Sequence, residues 1–395
     1  MAPRALIAGV GMIPFVKPGA NEPYPVMACQ ATNLALADAG VGYDQIQHAY
    51  VGYVYGDSTC GQRALYELGM TGIPIFNVNN NCSTGSTALY LARQAVETGV
   101  VDCALALGFE QMAPGALDYA FPDRPAPLER FTHEAELAYP GQKAPMAIQL
   151  FGGAGLEYQE KYGTRNETFA MISQKARKHA AHNERAIFRK PVTVEEVLAS
   201  PLMFGNLTRL QCCPPTCGAA AAVVVSEAYA AKHGLAANVA IVAQALTTDY
   251  HSTFDEHSML KVVGYDMSRA AAQQVYAASG IGPEEVDVVE LHDCFTVNEV
   301  ISYEALGLCP VGGAEQFVWD GANTYGGQVV TNPSGGLLAK GHPLGATGLA
   351  QCAELVWQLR GQAGARQVDS ARVALQHNIG LGGACVVTMY ARIDA

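Results

Sequence analysis

The order of apolar segments repeats once along the chain, and this repeat constrains the fold more than any other feature. In the first half, strand-like runs alternate with stretches of helical period, and the same order returns after residue 239 without obvious residue identity. Such alternation is typical of parallel sheets whose strands are joined by crossover helices. The sequence therefore predicts an α/β protein built from two duplicated halves.

The predicted segments are bounded by turn residues and by changes in periodicity. In the first half they are strand 5–10, helix 26–38, strands 48–55 and 73–77, helix 85–97, and strands 102–107 and 219–225. In the second half they are strand 239–246, helix 268–279, strand 286–292, helix 298–306, strand 328–332, helix 346–359, and strands 372–376 and 384–390.

Residues 119–215 differ in composition from the segments that flank them. They carry several prolines, clustered charges and amphipathic pieces such as residues 166–182. We therefore expect three units: a first half made of residues 1–118 and 216–238, a mostly helical inserted loop domain at 119–215, and a second half at 239–395. Ligands of open α/β sheets bind beyond the carboxyl ends of strands, so the insertion either shapes a substrate pocket or only covers the core.

Composition excludes several functional classes. The net charge of −12 argues against a nucleic-acid partner, because phosphate binding depends on clustered Lys and Arg. Eleven cysteines without a regular framework point to a reducing compartment. We find no signal-peptide pattern, no short C-terminal address signal and no run of the roughly 18 to 20 apolar residues that span a membrane, and we expect a cytoplasmic protein.

Cys82 lies at a turn between the strand-like run that ends near residue 76 and a helix-like run over residues 83–97. Amides at a helix N-terminus and the positive end of its dipole favour a thiolate, so the position suits a nucleophile. Gly85 would let a substrate approach the backbone. A small buried cysteine in the core explains the same pattern, and both interpretations stay open on spacing alone.

Two histidines occupy positions that suit chemistry. His292-Asp293-Cys294-Phe295 follows a predicted strand, which places an imidazole and a second thiol at its carboxyl end, although a satisfied core histidine is commoner. His342 lies among the glycines of residues 341–348, where Pro343 fixes the turn that presents it. A structural glycine turn is the alternative, but it leaves the histidine at its tip unexplained.

The last of the four segments runs from His377 to Gly383 after a predicted strand. Glycines such as Gly380 can there aim a backbone N–H at a developing oxyanion. The segment does not match a phosphate loop, because the lysine and Ser/Thr of that pattern are absent. Cys212, Cys213 and Cys217 match no usual zinc spacing, so we expect a packed loop there and no metal site.

Together the four segments resemble the thiolase family, whose loops supply a nucleophilic cysteine, an Asn-Glu-Ala-Phe motif, a Gly-His-Pro motif and a Cys-x-Gly motif. The resemblance is closer to the sterol-carrier-protein branch, the thiolase part of a fused protein, where His-Asp-Cys-Phe replaces the second motif, as at residues 292–295. In that branch the last loop also lacks its cysteine, and Asn378 stands at that position here. The resemblance covers essentially the whole chain, and we expect no lipid-transfer domain after residue 395.

The resemblance implies a thiolase-like five-layer αβαβα fold, a homodimer, and cleavage of 3-oxoacyl-CoA by CoA in fatty-acid or sterol side-chain degradation. CoA is then a co-substrate, and no cofactor is tightly bound. Cys82 would attack the 3-keto carbon, with the oxyanion held by the N–H groups of Cys82 and Gly380. His342 and His292 would donate to the enolate that leaves, and Cys294 would transfer protons. His342 would also help to hold Cys82 as thiolate. Animal members are usually peroxisomal, but no signal for that compartment is visible here.

Residues 145–147 stand where ordinary thiolases carry a His-Met pair, so pocket preferences do not transfer. Three alternatives remain. A decarboxylating condensing enzyme would need Cys82 and two histidines but no second thiol such as Cys294. A retro-aldolase would not need Cys82, and a non-catalytic acyl-CoA or lipid-binding protein would need none of these groups.

Overall fold

A computed structural model describes residues 4–113 and 123–393 of the chain. The predicted boundary between residues 118 and 119 lies outside the described residues, so the division into three units stays a prediction. No helix in the described ranges combines the length and the apolar character needed to cross a membrane.

Strands and helices follow the predicted order. The strands are β1 Ala5–Met12, β2 His48–Gly52, β3 Ile75–Val78, β4 Cys103–Glu110, β5 Leu202–Phe204, β6 Leu207–Thr208, β7 Gly218–Ser226, β8 Val239–Thr247, β9 Val288–Glu290, β10 Val330–Thr331, β11 Val373–Gly380 and β12 Ala384–Arg392. The helices are α1 Tyr24–Ala39, α2 Cys60–Leu65, α3 Thr84–Glu97, α4 Glu129–Ala138, α5 Met146–Tyr162, α6 Asn166–Ala180, α7 Val194–Leu198, α8 Glu227–His233, α9 Ser252–Asp255, α10 Met259–Val262, α11 Tyr265–Ser279, α12 Thr296–Ala305, α13 Ala314–Trp319 and α14 Thr347–Arg360.

The two halves contribute equal parts of one ten-stranded sheet. Its order is β10-β9-β11-β12-β8-β1-β7-β4-β2-β3, so each half arranges its own strands as third, second, fourth, fifth and first. The halves meet where β1 and β8 pair antiparallel, with Leu6 opposite Ala240. The duplication predicted from segment order is therefore confirmed in the sheet.

The prediction of parallel strands is correct only in part. β2 pairs parallel with β3 and β4, and β9 pairs parallel with β10 and β11. The pairs made by β7 and β12 are antiparallel. β11 and β12 are joined only by residues 381–383, where Gly382 and Gly383 adopt φ of 97° and 95°, and so short a loop forces an antiparallel pair. Strands that are buried on both faces are apolar throughout, so their sequence pattern does not distinguish parallel from antiparallel pairing.

The helices complete an αβαβα arrangement, as expected. α1 covers the outer face of the first half-sheet, α3 and α14 lie between the half-sheets, and α11 covers the outer face of the second. Apolar cores fill these spaces, and in the central one Leu89 of α3 and Leu349 of α14 are fully buried.

The inserted segment is helical over most of its described length. α6 confirms the amphipathic helix predicted at residues 166–182. It packs on α12 and on a π-helical turn, Gly336–Lys340, that leads into the glycine-rich segment. The insertion thus lies against the loops that carry the predicted site residues.

Candidate active site

Cys82 lies in the turn between β3 and α3, as the sequence predicts. The turn is held by its own backbone, because Ser83 N–H donates to Asn80 O at 3.2 Å and Thr84 N–H donates to Asn81 O at 3.0 Å. Asn81 adopts a positive φ of 51°, which reverses the chain just before the thiol. Cys82 retains a partly accessible surface.

The second half brings both predicted histidines to this thiol. His292 follows β9, and His342 precedes α14. Cys82 Sγ and one ring nitrogen of each histidine lie within 4.8 Å of one another. The two imidazole rings meet edge to face, with centroids 5.1 Å apart and planes at 86°. Three groups that are far apart in sequence therefore form one compact cluster.

His342 presents an unprotonated nitrogen to this cluster. Its Nδ1 lies 2.7 Å from Thr347 Oγ1, and the Thr347 hydroxyl already donates to Pro343 O at 3.0 Å. The hydroxyl must therefore accept from Nδ1–H, which leaves a lone pair on Nε2. That Nε2 is buried and has no hydrogen-bond partner among the described residues. It is available to accept a proton.

Burial favours the neutral forms of the cysteine and the histidine. Burial, with a smaller contribution from Glu110, raises the pKa of the Cys82 thiol to about 12. Burial, with a smaller contribution from Lys340, lowers the pKa of His342 to about 3. Burial thus acts against the expectation that Cys82 rests as a thiolate, and that expectation stays a prediction. A shift of three units from a value of 9.0 corresponds to about 4 kcal/mol, whereas a helix dipole contributes about 0.3 to 1 kcal/mol, up to about 2 kcal/mol.

Cys294 is the second thiol of the site. It is buried, and burial raises its pKa well above the usual range, with further contributions from Cys213 and Cys82 nearby. Its carbonyl accepts a hydrogen bond from Cys213 N–H at 2.9 Å. The sequence-predicted thiols Cys82 and Cys294 thus share one electrostatic environment.

The cysteine-rich segment 212–217 supports both histidine loops, a role that sequence reasoning missed. Cys212 pairs with Phe295 and Pro215 pairs with His342 through isolated backbone bridges. His342 N–H donates to Thr216 Oγ1 at 3.1 Å. The prediction of a packed loop is confirmed, because the loop bonds to the backbone of both histidine segments.

A buried ion pair joins the two histidine loops. Glu290, two residues before His292, and Lys340, two residues before His342, lie 3.2 Å apart with fully buried side chains. The Glu290 carboxylate also accepts from Ser334 N–H at 3.0 Å and from the Ser334 hydroxyl at 2.8 Å. Neither residue was predicted, since a charge in an apolar strand or glycine-rich turn gives no sign of its partner in the sequence.

Asp293 strengthens the same connection. Its Oδ1 accepts from Leu337 N–H at 2.6 Å, so a second acidic side chain beside His292 holds the turn that leads to His342. Leu291 N–H adds a bond of 2.8 Å to Asn332 Oδ1.

Glu110 connects the end of β4 to the same region. Its carboxylate accepts from the backbone N–H groups of Tyr55 at 3.1 Å, Val54 at 3.3 Å and Gly345 at 2.9 Å. Burial raises the pKa of Glu110 to about 7 in spite of these bonds. A titratable acid thus supports the backbone just after His342.

Two predicted glycines pack closely against other backbone segments. A Cβ on Gly380 would lie 2.0 Å from Asn80 O, so the end of β11 rests directly on the turn that carries Cys82. A Cβ on Gly85 would lie 2.7 Å from Gly345 O and 3.2 Å from Gly348 N. The expectation that Gly85 admits a substrate is therefore wrong, because it packs the start of α3 against the start of α14.

Comparison with known families gives one consistent match. Residues 5–228 match the family described as "Thiolase, N-terminal domain", and residues 248–390 match "Thiolase C-terminal domain-like". The chain is 55% identical over 98% of its length to sterol carrier protein 2 of Oryctolagus cuniculus, of which it covers 72%. It is 37% identical to the benzoylsuccinyl-CoA thiolase subunit BbsB of Thauera aromatica, with 98% of both chains covered.

Solved structures with the same fold include an Ltp2-ChsH2(DUF35) aldolase, with a TM-score of 0.83, 24% identity and 99% of both chains covered. Human mitochondrial 3-ketoacyl-CoA thiolase in complex with CoA has a TM-score of 0.74 at 15% identity, with 100% of this chain and 99% of that chain covered. At these identities the likeness concerns the fold alone.

Lys340→Met leaves Glu290 buried without its cation. We expect the free energy of unfolding to fall by about 3–5 kcal/mol in a urea titration. The control Arg63→Met removes an exposed pair with Glu67 and should cost less than about 1 kcal/mol. The double variant Lys340→Met/Glu290→Gln removes the lone charge but keeps an acceptor for Ser334, and it should recover part of the loss. Equal stability of Lys340→Met and Arg63→Met would contradict this role.

Glu110 makes stability depend on pH. Its pKa is raised in the folded state from 4.5 to about 7, so its contribution is fully present below pH 4.5 and is lost as the pH rises through 7. The variant Glu110→Gln does not titrate at this position. Between pH 4.5 and pH 7 the unfolding free energy of the native chain should therefore fall by about 3 kcal/mol relative to that of the variant. Urea titrations of both proteins at several pH values measure the difference, and a constant difference would refute the assignment.

Proposed function

The chain belongs to the thiolase family, and from that premise we propose that it cleaves 3-oxoacyl-CoA esters with CoA to acetyl-CoA and a shortened acyl-CoA. The observation that carries this proposal is the cluster of Cys82 Sγ with one ring nitrogen each of His292 and His342, all within 4.8 Å. CoA is a co-substrate in this reaction, and the chemistry requires no resident cofactor or metal.

The first step is transfer of the acyl group to Cys82. The lone pair on Nε2 of His342 takes the thiol proton as Sγ attacks the 3-keto carbon of the substrate. Because both groups are neutral at rest, charge separates only when the substrate is bound. We assign the resulting oxyanion to the N–H groups of Cys82 and Gly380, as the resemblance to thiolases implies. Gly380 lies against the turn that carries Cys82.

Collapse of the oxyanion then breaks the bond between C2 and C3. The acetyl-CoA enolate that leaves carries negative charge on its thioester oxygen, and His292 and the now protonated His342 donate hydrogen bonds to it. Cys294 gives its proton to C2, which releases acetyl-CoA and leaves Cys294 as thiolate. For a 2-methyl substrate the same step releases propionyl-CoA.

The second half returns the enzyme to its resting state. The Cys294 thiolate removes the proton from the thiol of a second CoA, whose sulfur attacks the acyl group on Cys82. Cys82 leaves as the shortened acyl-CoA forms, and the proton on His342 returns to Cys82 Sγ. One thiol holds the acyl group while the other moves protons, which accounts for two cysteines in one buried site.

We assign the substrates to fatty-acid or sterol side-chain degradation. The name of the rabbit relative, sterol carrier protein 2, supports this class. A decarboxylating condensing enzyme would need no second thiol, a retro-aldolase would need no Cys82, and a binding protein would need neither. The buried Cys294 beside Cys82 favours thiolysis over all three.

We also propose that the enzyme is a homodimer joined through β3. This strand lies at one end of the sheet order, so among the described residues it pairs only with β2. Its Phe76 is 44% exposed, and Met70 nearby in the chain is 82% exposed. An apolar edge strand left open invites pairing with another chain, and a second copy of the same strand would cover it.

Cys82→Ser should lower thiolysis of 3-oxoacyl-CoA by about 1000-fold or more while the fold is retained, since the hydroxyl is a far weaker nucleophile.

Cys294→Ala should still acquire an acyl group on Cys82, seen by intact mass spectrometry, but should not exchange deuterium into C2 of acetyl-CoA. The buried thiol Cys103 at the start of β4 provides a matched control, and Cys103→Ala should retain both reactions. Full thiolysis by Cys82→Ser would show that Cys82 is not the nucleophile. Undiminished deuterium exchange by Cys294→Ala would show that Cys294 does not transfer the proton at C2.

Phe76→Lys places a charge on the proposed dimer edge. We expect the native chain to sediment as a dimer and this variant as a monomer, because like charges would face each other across the two-fold axis. Val100→Lys alters another exposed apolar residue, 64% exposed, and should remain dimeric. Sedimentation of the native chain as a monomer would refute the dimer, and a dimeric Phe76→Lys would refute this interface.

A further inference from the structure

Asn378, a fully buried residue of β11, contacts His292 of the cluster. Its Nδ2 lies 2.9 Å from Nδ1 of His292. Neither atom alone reveals which group donates, because an imidazole nitrogen either donates or accepts according to its tautomer. The neighbouring hydrogen bonds resolve this ambiguity.

The orientation of the Asn378 amide is determined by a chain of bonds that begins at Gln376. Gln376 Nε2 lies 2.6 Å from the carbonyl of Gly348, which can only accept, so this atom is the amide nitrogen. It also donates to Ser86 Oγ at 2.9 Å, and the Tyr390 hydroxyl donates to Gln376 Oε1. The Ser86 hydroxyl is left to donate in turn to Asn378 Oδ1 at 2.8 Å.

His292 therefore receives a hydrogen bond at Nδ1. With Oδ1 of Asn378 engaged by Ser86, the amide nitrogen faces the imidazole and donates to it. Burial lowers the pKa of His292 well below its ordinary range, so the ring carries a single proton, which must lie on Nε2. His342 has the opposite tautomer, with its proton on Nδ1. The two histidines beside Cys82 thus present one donor and one acceptor.

We propose that Asn378 is a positioning residue that holds the His292 proton on Nε2, through the bonds from Gln376 and Ser86, so that this ring donates a hydrogen bond and does not ligate metal. The catalytic consequence rests on the proposed thiolysis, because there the enolate oxygen needs a donor. The tautomer itself does not depend on which reaction the enzyme performs.

The metal consequence follows from the composition of the cluster. Cys82, His292 and His342 offer one sulfur and two nitrogens within 4.8 Å, a set that suits Zn²⁺ or Co²⁺. A histidine that ligates metal usually donates its other N–H to a carboxylate or carbonyl oxygen. Asn378 puts a donor where such an acceptor would stand, and thereby keeps the lone pair of His292 away from the cluster.

Asn378→Asp reverses this arrangement and is the direct test. We expect the variant to bind Co²⁺ at least about tenfold more tightly than the native chain, with a thiolate-to-cobalt absorption band that Cys82→Ser removes. Asn378→Leu has similar size but no acceptor and should not show the gain. Adding His292→Ala to Asn378→Asp should abolish it, which separates ligation from simple attraction by the new charge. Equal Co²⁺ affinity of Asn378→Asp and the native chain would overturn the proposal.

Two further measurements separate the tautomer from the reaction. In protein with ¹⁵N-labelled histidine, assigned with a His292→Gln variant, the native His292 should be protonated on Nε2, and Asn378→Leu should show a mixture of tautomers. A native ring protonated on Nδ1 would overturn the proposal whatever the reaction is. In the assays, Asn378→Leu should lower cleavage of 3-oxoacyl-CoA by roughly 100-fold but leave acylation of Cys82 by a simple acyl-CoA nearly unchanged. Equal loss of both would indicate a structural role only.

Discussion

The buried ion pair between Glu290 and Lys340 is the interaction on which the catalytic arrangement depends. Each partner lies two residues from a histidine of the cluster, and both side chains are fully buried. Desolvation makes such a pair a poor source of net stability, but it makes the loss of one partner costly. The pair therefore favours one relative position of the two loops over alternatives in which either charge would be left alone. Asp293 also favours this relative position of the two loops, because its carboxylate accepts a hydrogen bond from Leu337 N–H.

Burial also determines how the nucleophile is activated. The burial that makes the ion pair sensitive to loss of a partner also raises the pKa of Cys82 and lowers that of His342. Both shifts favour an uncharged resting cluster. A neutral thiol is protected from wasteful reaction with other electrophiles, because the thiolate is the reactive form. In the proposed mechanism, proton transfer to Nε2 of His342 then coincides with attack on a bound substrate.

Much of the fold was predictable from the sequence, because segment periodicity and turn residues are local properties. The turns made Cys82, His292 and His342 candidates, and the resemblance to thiolases selected them. The structure brings all three together. Strand direction around β7 and β12 was not predictable from periodicity, although Gly382 and Gly383 marked the tight connection. The Glu290–Lys340 pair and the support by residues 212–217 depend on contacts between distant segments. The effect of burial on the pKa of Cys82 was also not predictable, because burial is a tertiary property whereas the helix dipole is a local one.

The duplicated fold explains why burial of the nucleophile does not prevent its reaction. α3 begins just after Cys82 and α14 begins just after the His342 loop, and the two helix starts meet at Gly85 and Gly348. Two positive dipole ends from equivalent places in the two halves thus lie beside one site. These dipole ends are too weak to ionise a buried thiol at rest. Their positive sign nevertheless favours a negative charge on that thiol. In the proposed reaction these fixed dipoles are already oriented when the thiolate and the oxyanion form, so they would stabilise the charged transition state more than the neutral ground state.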